Sequence, residues 1–197
     1  MGVEKRMADR CNTIRLYSFQ TDVVYQVLKR DGVCYSKEEY VRKKYKESAK
    51  VFINAYGWFV KEAQHIVPKP EGPEYPYWAF TDLYNVDQTG DGHVLTLDVP
   101  IGEAILFDMF DWTKIMQMHY IGENESEEAT FSEELKNMGM NEFQIMTSNF
   151  YPEQKARIQE SWKRLFGHQQ AIEAGDNSGV HSVQAGLWCI KDEWIVK

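Results

Sequence analysis

Residues 14–32 read IRLYSFQTDVVYQVLKRDG, and this stretch decides the fold class. Its first half, Ile14 to Phe19, is β-prone with apolar residues at alternating positions, the pattern of a strand with one buried face. Thr21 or Asp22 then caps a helix that runs through Val23, Val24, Val27 and Leu28 and stops at Asp31-Gly32. A strand feeding directly into a helix places the polar pair Gln20 and Thr21 at the junction, where open backbone N–H donors favour ligand binding.

Outward from this unit the elements alternate irregularly. Lys37 to about Ile66 shows helical spacing through Tyr45, Val51, Phe52, Ala55, Tyr56, Phe59 and Val60, with a break expected near Gly57. The proline-rich run 68–76 (PKPEGPEYP) ends that helix and delivers an aromatic strand, Tyr77 to Leu83. Val94 to Pro100 and Ala104 to Phe107 read as further strands, and Trp112 to Met118 as a short helix. Residues 122–134 are acidic and polar and are expected to form a mobile loop. Glu153 to Phe166 has helical periodicity, and Val183 to Val196 supplies one or two closing strands after the turn at residues 175–179, GDNSG. The expected architecture is α+β: a single domain over 1–197 with a mixed, mainly antiparallel sheet and several packed helices, and residues 1–12 as a flexible leader.

Composition narrows the partners. The chain has 197 residues, 43% hydrophobic and 14% aromatic, as an ordinary folded domain does. Its formal charge of −8 opposes the phosphate attraction that dominates nucleic-acid affinity. No apolar run approaches the roughly 18 residues needed to cross a bilayer, so a cytoplasmic address without membrane attachment is expected. Cys11, Cys34 and Cys189 are scattered and show no paired metal-ligand spacing.

The chemistry-bearing residues are sparse. Asp87 to Asp98, DQTGDGHVLTLD, has oxygen donors at calcium-loop spacing, but it ends on Asp98 instead of a bidentate Glu, and its flanks read as strands. A hairpin loop with Gly90 and Gly92 at its turn explains the same residues, and no metal site is assigned. The five histidines show no zinc-hydrolase pairing, and no Walker loop, dinucleotide fingerprint or serine elbow occurs. Asp108 and Asp111 are candidate paired carboxylates; their neighbourhood equally suits a capped helix start.

Several motifs carry a resemblance. LYSFQT at 16–21 with VLKRDG at 27–32, YPYWAF at 75–80, LDVP at 97–100 with FD at 107–108, and QAGLWCI at 184–190 together resemble a bacterial domain-of-unknown-function family of small cytosolic proteins. The order of strand, polar pair, helix, aromatic strand and closing strand is also similar to ADP-ribosyltransferase-like domains. That similarity implies a ligand site of Gln20, Thr21, Trp78 (or Tyr77) and Gln184 around one cleft, with NAD as the implied cofactor. It lacks the usual catalytic Glu, for which Asp98, Asp108 or Glu193 would have to substitute, since Gln184 carries no negative charge. Three readings follow: a small-ligand or nucleotide pocket domain, a non-catalytic protein-interaction module using the acidic segment 123–134 and exposed aromatics, and, third, a domain stabilised by calcium at the Asp87–Asp98 loop.

Overall fold

A computed structural model of the chain describes residues 12–46 and 49–196; the expected leader, apart from Asn12, lies outside the described residues, Cys11 with it. The opening unit forms as read. Strand β1 spans Thr13–Thr21 and runs straight into helix α1, Asp22–Asp31. Helix α1 ends because Gly32 adopts φ 76°, a left-handed conformation open to glycine, and donates its N–H to Leu28 O.

A short strand β2 (Val33–Cys34) precedes helices α2 (Glu38–Tyr45) and α3 (Ala49–Ala63). The helix therefore breaks at Lys46, whose φ is 48°, and Gly57 sits inside α3 without interrupting it. Strands β3 (Tyr77–Phe80), β4 (Gly92–Pro100) and β5 (Ala104–Asp108) follow, then α4 (Met109–Met116), α5 (Glu125–Asn137), α6 (Glu142–Thr147) and α7 (Pro152–Ser161). A 3-10 segment, Trp162–His168, leads into α8 (Gln169–Glu173), and the chain closes with β6 (Val183–Leu187) and β7 (Ile190–Lys191).

The acidic stretch expected as a loop is a helix. Asn124 caps α5 by accepting the Glu127 N–H, Glu125, Glu127 and Glu128 complement the positive end of the helix dipole, and Phe131 and Leu135 are buried. The segment leading into it is pinned as well. Arg164 packs over the Tyr120 ring, Tyr120 stacks on Phe131 at 4.4 Å, and the Arg157 guanidinium lies 4.7 Å from the centre of the Phe131 ring.

Five strands pair antiparallel in the order β4-β1-β3-β6-β5, with β2 and β7 forming a separate two-stranded ribbon. Strands β4 and β5 occupy opposite edges although only Ile101–Glu103 separate them. Four residue steps reach at most about 14 Å. Four strand spacings add to about 19 Å, so the sheet must curl to bring its edges together. The inner face is the one buried on every strand: Leu16, Ala79, Leu95, Leu97, Val99, Leu106, Ala185 and Leu187, joined by Leu28, Ile172 and Trp194. The outer face is covered over β5, β6 and part of β3 by a helical layer in which Phe59, Trp112 and Trp162 pack against Ile105 and Phe107. Over β1 and β4 that outer face is left open: Tyr17, Phe19, Thr96 and Asp98 are half-buried and Val94 is exposed.

Candidate functional site

Strand register locates the expected ligand residues. Tyr17 lies opposite Phe80, and Phe80 opposite Gln184, so these three share one face. Gln20 is three positions from Tyr17, an odd step, which turns its side chain to the other face. The structure agrees: Gln20 donates to Ser18 Oγ at 2.8 Å, and Ser18 belongs to the buried inner side with Leu16. Gln20 and Gln184 thus lie on opposite faces of the sheet, and the shared cleft expected around them does not form. Thr21 ends β1 in an exposed position, and its side chain makes no capping bond to α1.

Trp78 and Gln184 do stay together. Trp78 pairs with Gly186 on the adjacent strand, one outer-face position from the Phe80–Gln184 pair. The Trp78 indole is committed to the helical layer: it donates to the Tyr56 hydroxyl at 2.9 Å and lies 4.8 Å from the Trp112 ring. Gln184 combines burial with an unpaired side chain. It is only 3% exposed, yet its amide makes no hydrogen bond with any described residue. Every fully buried side-chain nitrogen or oxygen among the described residues has a partner. The Gln184 amide atoms therefore keep contact with solvent, and the small accessible area of the residue includes them.

A single row across the sheet explains that exposure. Thr96, Tyr17, Phe80, Gln184 and Phe107 are successive cross-strand partners; the first three are half-buried and the last two buried. The rim of the helical layer falls between Phe80 and Gln184. An amide at such a rim, with the half-buried Phe80 beside it on the neighbouring strand, keeps a donor and an acceptor in limited contact with solvent.

The expected acids are placed differently. Asp98 is on the open face, in a two-bond ion pair with Arg15 at 2.5 and 3.1 Å. It lies six residues along β4 from Gly92, so it cannot converge with Asp87 on one cation; Asp87 instead accepts from the N–H and hydroxyl of Thr89. Among the described residues no group of three or more His, Cys, Asp and Glu could hold a metal ion. Glu193 is exposed in the 3-10 turn Asp192–Trp194.

Asp108 and Asp111 sit at the β5–α4 junction and diverge in character. Asp108 is buried and caps α4 through the Phe110 N–H; its other oxygen accepts from the His181 N–H and contacts His181 Nδ1, each at 2.9 Å. Burial alone would raise this carboxyl, but the bonds from His181 and Phe110 hold it below the ordinary carboxylate value. Burial pushes the Asp111 carboxyl up, against the pull of Lys114, whose Nζ is 3.6 Å away. The His181 ring is 77% exposed and rests near Phe110, with centroids 5.1 Å apart. Asp108 orients this imidazole, but its clearest work is tying the loop before β6 to the start of α4.

Two open grooves line the α5–α7 surface, of about 340 and 550 Å³, sharing Tyr120 and Arg157. Their charged groups are already paired: Arg157 with Glu134, and Arg164 with Glu127. Sequence reasoning missed the rim position of Gln184, because only the register of β3 against β1 and β6 reveals which side of the sheet it occupies. No helix among the described residues is long and apolar enough to cross a membrane.

No curated protein and no solved structure matches the chain. A family model described as Domain of unknown function (DUF3841) matches residues 15–196, nearly the whole chain, and the protein belongs to that family.

Proposed function

We propose that this chain is a small-molecule-binding domain, cytoplasmic in address, whose ligand reaches the Gln184 amide at the rim between the helical layer and the open outer face. One observation carries the reading: Gln184 is 3% exposed and its amide has no hydrogen-bond partner among the described residues. Leaving a polar group so poorly solvated is costly unless something pairs with it. Phe80 and Tyr17, half-buried in the same row, offer the apolar surface that small-ligand sites favour. NAD, the cofactor implied by the ADP-ribosyltransferase-like similarity, enters this reading without Gln20 and Thr21.

The test is thermal stabilisation by a panel of cytoplasmic metabolites that includes NAD, run on the native protein and on Gln184→Leu. A ligand of this site raises the melting temperature of the native protein and not of the variant. Equal stabilisation of both proteins by every ligand that binds would remove Gln184 from the site.

A second reading, a protein-interaction module, has its own observation. Leu83, Tyr84 and Phe110 are exposed at one end of the sheet, with Tyr84 91% accessible, and they flank the His181–Ser182 pair through the Asn85–Ser182 hydrogen bond and the Phe110–His181 contact. A partner that co-purifies with the native chain and is lost from Tyr84→Ser/Phe110→Ser, while Gln184→Leu retains it, would support this reading over the first.

A further inference from the structure

The rim site also constrains the chemistry of its ligand. Resting on the small-molecule reading above, we propose that the ligand is an uncharged planar heterocycle with a lactam edge, such as a free nucleobase. The ring lies over Phe80 and Tyr17 with that edge toward Gln184.

Three features support this class. A glutamine amide presents one acceptor and two donors, so it matches an edge that offers a donor beside an acceptor; a carboxylate or an ammonium group would satisfy only half of it. Among the described residues of the open face no free countercharge stands nearby: Arg15 is held by both oxygens of Asp98. A charged ligand head would be desolvated there without compensation, which selects a neutral one.

The dimensions agree. Tyr17, Phe80 and Gln184 are consecutive partners on three adjacent strands, so two strand spacings, about 9.6 Å, separate the first from the last. That span takes one or two fused rings lying flat against the Phe80 and Tyr17 side chains, both half-buried with part of their surface accessible. A polynucleotide would bring phosphates to a chain of charge −8 that has no unpaired cation in this row. The free base or its nucleoside is the form that fits.

The test uses the full chain labelled with nitrogen-15 and follows the side-chain amide resonance of Gln184, assigned by its loss in Gln184→Leu. Three probes are titrated: uracil, which has the ring and the lactam edge; acetamide, which has the edge alone; and phenol, which has a ring without the edge. Uracil is expected to shift the Gln184 resonance saturably and at least about tenfold more tightly than either control. Phe80→Leu, which keeps an apolar side chain but removes the ring, is expected to weaken uracil and leave acetamide unchanged.

Acetamide binding as tightly as uracil would overturn the planar-ring assignment and leave the small-molecule reading standing. Phenol binding as tightly as uracil, with no movement of the Gln184 resonance, would overturn the lactam assignment. A resonance that moves with NAD or another metabolite but not with uracil would overturn the ligand class alone. A resonance that no probe or metabolite moves would remove both the class and the site.

Discussion

The side-chain amide of Gln169 pairs with Leu106 as a neighbouring strand would. Gln169 Oε1 accepts the Leu106 N–H at 2.5 Å, and Gln169 Nε2 donates to Ala104 O at 3.1 Å. Strand β5 is an edge of the curled sheet, so these backbone groups have no strand partner. On the opposite edge the Val196 N–H donates to Thr96 O, and Ile195 bridges to Leu97. Both free edges are therefore closed by groups from outside the sheet.

Gln169→Leu should remove both β5 contacts while keeping the side-chain volume. With a buried N–H and C=O left unpaired, the loss should be roughly 2–4 kcal/mol. Urea denaturation checks this, and a loss below about 0.5 kcal/mol would show that β5 needs no edge partner.

Gln184→Leu should have the opposite sign. Replacing a poorly solvated amide that has no partner by an apolar group of similar size should stabilise the ligand-free protein by about 1 kcal/mol. A marked loss of stability in the same denaturation experiment would mean that the amide already has a structural partner.

The carboxyls at the β5–α4 junction should give opposite pH signatures. Asp108 has its folded value depressed, so its contribution is present above the unfolded value of 3.8 and is lost as pH falls through the lower folded value. Asp111 is raised, so its contribution is full below 3.8 and is lost as pH rises through its folded value. Asp108→Asn should then flatten the acid limb of a stability–pH curve, while Asp111→Asn should steepen it. Melting temperatures across the range from pH 3 to 7, roughly the carboxylate window, measure both; the same change of slope in the two variants would contradict the assignment.

Thiol chemistry should report global unfolding. Cys34 and Cys189 are both buried, and burial pushes the Cys189 thiol up to about 11. Since the thiolate is the nucleophile, alkylation of Cys189 near pH 8 should proceed only as fast as the chain opens. Mass spectrometry after timed iodoacetamide exposure, with and without urea, tests this; rapid labelling of Cys189 in the native protein would show that the site is open.

Amide exchange should separate a helix from a loop in the acidic segment. Phe131 and Leu135 are buried in α5, so their amides should be protected well beyond those of the exposed loop around Gly90. Equal exchange in the two regions would restore the loop expected from composition.

Local chemistry in the sequence was enough for the opening unit. Alternation from Ile14 to Phe19, a polar junction and Asp31-Gly32 specify strand, helix and stop with no help from distant residues, because each signal acts within a few positions. The α+β class and most of the strands followed from the same short-range patterns. The acidic helix was missed because glutamate density was read as solvation, whereas Asn124, the first-turn acids and the pair Phe131 and Leu135 make a capped helix with a narrow buried stripe.

The site needed the tertiary structure. Gln20 and Gln184 carry the same amide and sit on strands with similar patterns, yet one faces inward and the other outward. That difference is set by the register of β3 between them, since a shift of one residue exchanges the faces of a strand. Such a register is decided by packing and hydrogen bonding across the chain, which no local stretch of sequence encodes.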